Sequence, residues 1–266
     1  MVNCELGHIY SQLTIHHSQK SMTIRLFILS LSILLTHFAS AQSHQLRVLS
    51  YNIRNGKGLD NVTSYQRIAD VLLSAKADVI ALQELDSVTQ RSKQEDVLQN
   101  LSQLTGMHAV YAPAIDFNGG KYGVGVLSKE KPLSFRYLSL PGREEKRVLL
   151  LVEFEQYFFL CTHLSLTEED RIASASMISN EVAHFKKPVL LAGDLNDHPT
   201  SVFMKSLQVQ WKSLSTEANS FPADRPDRCI DYILTRKQDP FKAKSSMVID
   251  EAMASDHRPV LVVLEW

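Results

Sequence analysis

The stretch Val189-Leu190-Leu191-Ala192-Gly193-Asp194-Leu195-Asn196 predicts a buried strand that ends in two polar side chains. Its first four residues are apolar, and Pro188 and Pro199 bound the segment, which is typical of a short strand inside a sheet. Because alternate residues of a strand share a side, we expect Asp194 and Asn196 to face one pocket. A carboxylate, which only accepts hydrogen bonds, beside a carboxamide, which both donates and accepts them, suits a site that holds an activated water and a phosphate oxygen. Ligands of α/β sheets bind just beyond such strand ends. Asp and Asn after a strand are also common turn formers.

Three other strand-like runs end in polar side chains. They are Leu46–Ile53, Asp78–Glu84 and Phe158–Leu164. Asn52, Glu84 and His163 lie at or near the ends of these runs. A charged group directly after an apolar run is rarely buried unless it is paired or bound to a metal, which makes Glu84 a candidate ligand. Each residue also has a plain structural interpretation: a turn cap for Asn52, an edge cap for Glu84, and a hydrogen-bonded structural histidine for His163.

The last part of the chain adds two acids and a histidine. Asp231 lies inside the apolar run Ile230–Leu234, and Asp256 and His257 directly precede the final strand. Burying Asp231 unpaired would be costly, and a histidine partner would remove that cost. The polar segment 213–227 between these motifs is the best candidate for a loop that faces the substrate.

Two further candidates come from the middle of the chain. A glycine-rich stretch from Gly119 leads into a strand without the spacing of a phosphate-binding P-loop, which favours a hairpin. Its Tyr122 is a candidate phosphate contact or a plain sheet aromatic. Arg91, in a polar loop, is a candidate substrate-binding residue, and the segment after it, 94–105, has helical periodicity.

The N-terminal part is predicted to be absent from the mature fold. Residues 22–41 contain one arginine, an apolar run and the sequence Ala39-Ser40-Ala41, the pattern of a signal peptide. We therefore interpret residues 1–21 as an extension upstream of the true start at Met22, although a genuine N-terminal anchor is the alternative. We expect an exported protein, periplasmic or extracellular, with no stable membrane anchor after cleavage.

Composition favours one α/β or α+β domain over residues 42–266, in which strand-like and helix-like runs alternate closely. Removing residues 1–41 changes the net charge from −1 to −2, so bulk charge gives no support for nonspecific nucleic-acid binding. Cys161 and Cys229 remain, as a disulfide or as two buried thiols. We expect a monomer.

Taken in order, these motifs resemble the endonuclease/exonuclease/phosphatase superfamily of metal-dependent phosphoesterases. The resemblance covers residues 46–266 and rests on six short motifs: Asn52, Gln-Glu84-Leu, Thr-His163-Leu, Gly-Asp194-Leu-Asn196, Ile-Asp231-Tyr-Ile and Ser-Asp256-His257-Arg-Pro. Each motif alone is common, but the ordered set is specific. The resemblance implies a four-layer α/β/β/α sandwich and a divalent cation, Mg²⁺ or Mn²⁺.

The resemblance also implies roles. Glu84, helped by Asn52, would hold the metal, with Asp256 as a second ligand or as the orienting partner of His257. Asp194 would activate the water, and Asn196 would contact the phosphate or position the nucleophile. His163, paired with Asp231, would stabilise the phosphoryl group or protonate the leaving oxygen. His257 would donate to the phosphoryl oxygens or act as a base. The roles of the two histidines could be interchanged.

Some family features are missing. Val124 and Gly125 stand where several relatives carry Asn, and Leu85 and Asp86 stand where nucleases carry Arg after the metal-binding Glu. The expected substrate is therefore a phosphodiester in either a nucleic acid or a lipid or inositol headgroup. A noncatalytic binding module on the same fold is the alternative from another class.

Overall fold

The computed structural model describes residues 45–266, which form twelve strands and four α-helices. The strands are β1 Gln45–Asn52, β2 Val79–Ser87, β3 His108–Phe117, β4 Gly120–Ser128, β5 Ser134–Leu140, β6 Arg147–Glu153, β7 Phe158–His163, β8 Val189–Asp194, β9 Trp211–Ser213, β10 Asp231–Arg236, β11 Lys242–Val248 and β12 Val260–Glu265. The helices are α1 Tyr65–Ala75, α2 Val97–Thr105, α3 Glu168–Val182 and α4 Val202–Leu207. The predicted extension 1–21 and signal peptide 22–41 lie outside the described residues and stay predictions.

The strands form two six-stranded sheets. The first has the order β11-β12-β1-β2-β4-β3 and the second has the order β5-β6-β7-β8-β10-β9. In each sheet one parallel pair, β1–β2 or β7–β8, is connected through a helix. The last strand, β12, returns to pair antiparallel with β1, so both ends of the described chain lie in the first sheet.

Three apolar clusters show how these layers pack. The first is made of side chains from both sheets, among them Val48, Val126, Leu150 and Phe159. A second cluster joins the first sheet to α1 and α2, and a third joins the second sheet to α3 and α4. The two sheets therefore face each other across a shared core with helices on their outer faces, as the sandwich prediction required.

Local signals explain most element ends. Ser64 caps α1 by accepting a hydrogen bond from the backbone N–H of Arg67, and Asp96 caps α2 through the N–H of Gln99. The helix predicted over 94–105 begins only at Val97, because Lys93 and Gln94 have positive φ angles that no α-helix accepts.

Two remaining expectations are settled here. The glycine-rich stretch forms the β3–β4 hairpin as predicted, and Cys161 and Cys229 are buried free thiols. No helix within residues 45–266 is long and apolar enough to cross a membrane.

Candidate active site

A cleft of about 310 Å³ opens where the strand ends of the two sheets meet. Its lining is Glu84, Tyr122, Glu145, Arg147, His163, Leu166, Asp194, Asn196, Phe221, Arg228, Ile230, Asp256 and His257. The register of the second sheet places His163, Asp194 and Asp231 side by side on β7, β8 and β10. Pairing of neighbouring strands thus gathers groups that are far apart in the sequence.

Asp194 lies at the centre of this arrangement and is buried. Its Oδ2 accepts a hydrogen bond from Asn52 Nδ2 at 3.2 Å, and the same amide nitrogen lies 3.0 Å from Glu84 Oε1. Asn52 therefore joins the carboxylates of the two sheets through its N–H groups, while its Oδ1 accepts the backbone N–H of Arg54. In this conformation Asn52 positions the two acids rather than facing a cation with its oxygen.

Asn196 reaches the cleft by a turn and not by strand alternation. It follows the end of β8 with a φ of 54°, and its backbone N–H donates to Asp194 Oδ1 at 2.9 Å. Its Nδ2 donates to the carbonyl of Leu164 at 2.9 Å. Asp194 and Asn196 both line the cleft, as expected. The expected cause, strand alternation, was wrong, because the strand ends at Asp194.

A bulge in β2 turns Glu84 toward the cleft. The pairing of β2 with β4 shifts between Leu82 and Leu85, and Glu84 has a φ of 60°. Leu82 and Leu85 both pack in the helix-facing cluster, which a regular strand would not allow for residues three apart. The bulge therefore lets β2 keep its apolar contacts while directing one carboxylate into the cleft.

His257, and not His163, is the partner of Asp231. His257 Nδ1 lies 2.9 Å from Asp231 Oδ2, which also accepts a hydrogen bond from Ser220 Oγ at 2.5 Å. The predicted pairing of His163 with Asp231 is therefore wrong, although the expectation that a histidine would compensate the buried Asp231 is right. His257 Nε2 points the other way and lies 3.7 Å from Asp194 Oδ2.

The pKa values of the two histidines are shifted in opposite directions. Burial dominates at His163 and lowers its pKa to about 4, in spite of Asp194, whose Oδ2 lies 3.5 Å from its Nε2. Burial also lowers the pKa of His257, but the charge and hydrogen bond of Asp231 outweigh it, with help from Asp194 and Asp256, and the net pKa rises to about 10. At neutral pH the site therefore holds a cationic His257 beside a neutral His163.

The carboxylates of the cleft fit a hard divalent cation. Burial raises the pKa of Glu84, the hydrogen bond from Asn52 lowers it, and the charges of Asp256 and Asp194 raise it again. Arg54 pairs with Asp256 at 3.4 Å. Oxygen ligands with this excess of negative charge suit Mg²⁺ or Mn²⁺.

A second group of possible metal ligands, Asp194, Asp231 and His257, is less suited to a cation than the carboxylates of Glu84 and Asp256. Among residues 45–266, ligand atoms of Asp194, Asp231 and His257 lie within 4.8 Å of one another. Asp231 and His257 already hydrogen-bond each other, so a cation there would have to break that bond. We therefore keep Glu84 and Asp256 as the candidate metal ligands.

The two candidate substrate-binding residues have different positions. Tyr122 lines the cleft, and burial raises its pKa, so its hydroxyl stays protonated. Arg91 is absent from the cleft lining, because its guanidinium makes two hydrogen bonds to the buried Asp86, at 2.7 and 2.8 Å, and stacks on Phe117.

Six residues of the cleft lining are not among the predicted site residues: Glu145, Arg147, Leu166, Phe221, Arg228 and Ile230. Arg147 opens the apolar strand β6, is buried, and pairs with Glu144 and Glu145 at 3.2 Å each. A charged residue at the start of an apolar strand is the signal that could have identified it. Phe221 lies in the segment 213–227 that was expected to face the substrate.

Comparison with known proteins decides the family. The model of the Endonuclease/Exonuclease/phosphatase family matches residues 49–257. The chain belongs to this family. Its members are phosphoester hydrolases, and the motifs quoted above are those through which this chain resembles them.

Solved structures of family members share the fold. An endonuclease/exonuclease/phosphatase from Beutenbergia cavernae is 21% identical with a TM-score of 0.69, over 83% of this chain and 71% of that chain. The mannosyl-6-phosphatase of Bacteroides thetaiotaomicron is 18% identical with a TM-score of 0.68, over 83% and 100%. The catalytic domain of human Nocturnin, with a bound sulfate anion, is 19% identical with a TM-score of 0.62, over 84% and 96%. A search of curated protein sequences gave no match.

Proposed function

We propose that this family member is an exported, divalent-metal-dependent phosphodiesterase. The observation that carries the proposal is the central Asp194, held between a carboxylate that can bind a cation and two histidines, one cationic and one neutral. Glu84 and Asp256 would hold the Mg²⁺ or Mn²⁺ ion. When bound, the ion supplies Lewis-acid stabilisation of negative charge on a phosphate oxygen.

The protein groups divide the remaining work. Asp194 Oδ2 accepts a proton from the attacking water, and Asn52 and the backbone of Asn196 hold that carboxylate in place. The cationic His257 donates through Nε2 to a phosphoryl oxygen, because Asp231 occupies its Nδ1. The neutral His163 lies beside Asp194 and hydrogen-bonds the phosphoryl group or the leaving oxygen.

The test is metal-dependent turnover of bis(p-nitrophenyl) phosphate, a diester, beside p-nitrophenyl phosphate, a monoester. We expect the diester to be the better substrate and Glu84→Gln to lower kcat/KM by at least about 10²-fold. Glu155→Gln, at an exposed position outside the cleft, is the matched control. Near-normal activity of Glu84→Gln would refute the assignment.

The natural substrate remains a choice between two groups. Bulk charge and the residue after Glu84 favour a lipid or inositol headgroup, whereas export also suits a scavenger nuclease. Nicking of supercoiled plasmid, compared with release of phosphocholine or inositol phosphate, separates them. Thermal stabilisation by Mg²⁺ without any turnover would support the noncatalytic binding module.

Export rests on residues 22–41 and has its own test. N-terminal sequencing of protein recovered outside the cytoplasm should give Gln42 as the first residue. A mature start upstream of Gln42 would overturn the predicted cleavage.

A further inference from the structure

We propose that Arg228 binds a second anionic group of the substrate, next to the group that is hydrolysed. This inference rests on the proposed function, because it assigns a specificity-determining residue to the same cleft. It starts from the loop 220–228, which contributes Phe221 and Arg228 to the cleft wall. None of the motifs that indicated the family includes either residue.

The guanidinium of Arg228 is held in place but remains available. Its Cζ lies 4.4 Å from the centre of the Phe221 ring, in a cation–π contact. Its side chain is 59% exposed, and its one ion pair within the described residues joins it to the exposed Asp227 at 3.5 Å. The contact holds the guanidinium over the Phe221 ring, and the exposed side chain leaves N–H groups accessible to a ligand.

The loop is rigidly connected to the catalytic segment. Phe221 and Arg228 exchange backbone hydrogen bonds of 3.1 and 2.9 Å, which close the loop into a tight hairpin. Ala223 N–H donates to the carbonyl of Asp256 at 2.8 Å, and the Arg258 N–H donates to the carbonyl of Ser220 at 2.7 Å. Arg228 therefore keeps a defined position relative to the catalytic His257.

The distance suits a second charged group of the substrate. The Phe221 ring lies 4.5 Å from the His257 ring and 4.4 Å from the Arg228 guanidinium carbon, so the His257 ring and the Arg228 guanidinium are at most about 9 Å apart. One sugar or nucleoside unit spans a separation of this size. A phosphoester with a second phosphate one such unit away can therefore contact Arg228 while its reacting phosphate lies beside His257.

Arginine is the residue type that this role requires. Its planar fork can stack on an aromatic ring and bind phosphate oxygens with two N–H groups at once. A matched control lies on the same loop: Arg225 has the same charge and is 92% exposed, but it does not line the cleft. The pair separates a specific contact from the general charge of the loop.

The experiment uses two substrates that differ only in the second anion: thymidine 5′-(p-nitrophenyl phosphate) with and without a 3′-phosphate. In Mg²⁺, we expect the wild type to prefer the 3′-phosphorylated ester in kcat/KM by about five- to tenfold, the lower range for a charge-assisted contact at an exposed site. Arg228→Gln should remove this preference, Arg228→Lys should retain part of it, and Arg225→Gln should retain it fully.

Binding keeps the inference testable if turnover fails. Thymidine 3′,5′-bisphosphate and thymidine 5′-monophosphate are titrated calorimetrically into the wild type and Arg228→Gln. Tighter binding of the bisphosphate by the wild type alone supports the second anion site, even if neither ester is hydrolysed and the proposed function is wrong. Equal binding of the two ligands, no kinetic preference, or an equal loss in Arg225→Gln and Arg228→Gln would each overturn the inference.

Discussion

At the scale of single residues, the chemistry of this cleft depends on which neighbours each ionisable group has. Of the two histidines within 4 Å of Asp194 Oδ2, His257 is cationic and His163 is neutral, because only His257 has a buried carboxylate at its other nitrogen. Asp231 thus determines both the charge and the orientation of His257. Sequence patterns identify such residues as candidates, but their neighbours determine what they can do.

Replacing Asp231 by Asn should therefore reduce kcat much more than it raises KM. An amide can hydrogen-bond the imidazole ring but cannot stabilise its positive charge, and comparable positioning residues contribute about 10²- to 10⁴-fold to turnover. The pKa of His257 should fall, so the alkaline limb of the pH–rate profile should move to lower pH. Steady-state kinetics from pH 6 to 10 measure both effects, and an unmoved alkaline limb would contradict the role of Asp231. Ser220→Ala, which removes only the neutral donor to Asp231, is the control.

His163 should make the folded protein less stable in acid. Its pKa is about 4 in the folded state and near 6.5 in the unfolded chain, so between these values only the unfolded chain takes up the proton. The contribution of His163 to the free energy of unfolding is therefore fully present above pH 6.5, and it is lost, by up to about 3 kcal/mol, as the pH approaches 4. Urea unfolding of metal-free protein should show a shallower pH dependence for His163→Gln. Identical slopes for the two proteins would argue against a buried neutral His163.

At the scale of secondary-structure elements, close approach of strands explains the glycine in the central motif. A Cβ on Gly193 would lie 2.0 Å from the carbonyl oxygen of Thr162 on the neighbouring β7. The side chain must be absent for β7 and β8 to pair, and this pairing places His163 beside Asp194. The glycine thus serves the catalytic geometry through the sheet.

Gly193→Ala should destabilise the protein by about 3 kcal/mol or more, because backbone cannot move away as a flexible side chain can. Gly106→Ala is the control: it follows α2 with a φ of 70°, has nothing within 4 Å of the added Cβ, and should cost only about 1–2 kcal/mol of backbone strain. Chemical denaturation measures both changes. A smaller loss at Gly193 than at Gly106 would show that β7 and β8 separate easily.

At the scale of the whole molecule, the shared core couples the two halves of the cleft. Asn52 and Glu84 come from the first sheet, and His163, Asp194 and Asp231 come from the second. Their distances depend on the apolar layer between the sheets, in which Phe159 is fully buried. The cleft can keep its geometry only while that layer stays packed.

Phe159→Ala should lower the free energy of unfolding by about 3–5 kcal/mol and destabilise both sheets together. Hydrogen exchange of the β12 and β8 amides reports on the first and the second sheet, respectively. Phe135→Ala, at a 58% exposed side chain on the edge strand β5, should stay within about 0.5 kcal/mol. Loss of protection in the second sheet alone would mean that the two sheets unfold independently.

The order and chemistry of the strand-end motifs were readable from the sequence, since each is a local pattern. An apolar run of about six residues followed by Asp, Glu, Asn or His defines a buried strand and a candidate ligand without knowledge of the partners. The six motifs together indicated the family and the sandwich, and the family comparison and the two sheets confirm both.

Only the tertiary structure decided which group faces which. The bulge at Glu84, the Asp231–His257 pair and the attachment of the loop 220–228 to Asp256 all depend on contacts between segments far apart in sequence. A histidine at the end of β7 and one before β12 are equally reasonable partners for Asp231 until strand register and sheet packing position them. The proposed role of Arg228 could not be predicted from the sequence either, because it depends on the contact with the Phe221 ring and on the position beside the cleft. Periodicity reports burial along one strand, whereas the site depends on distances between strands, which the shared core determines.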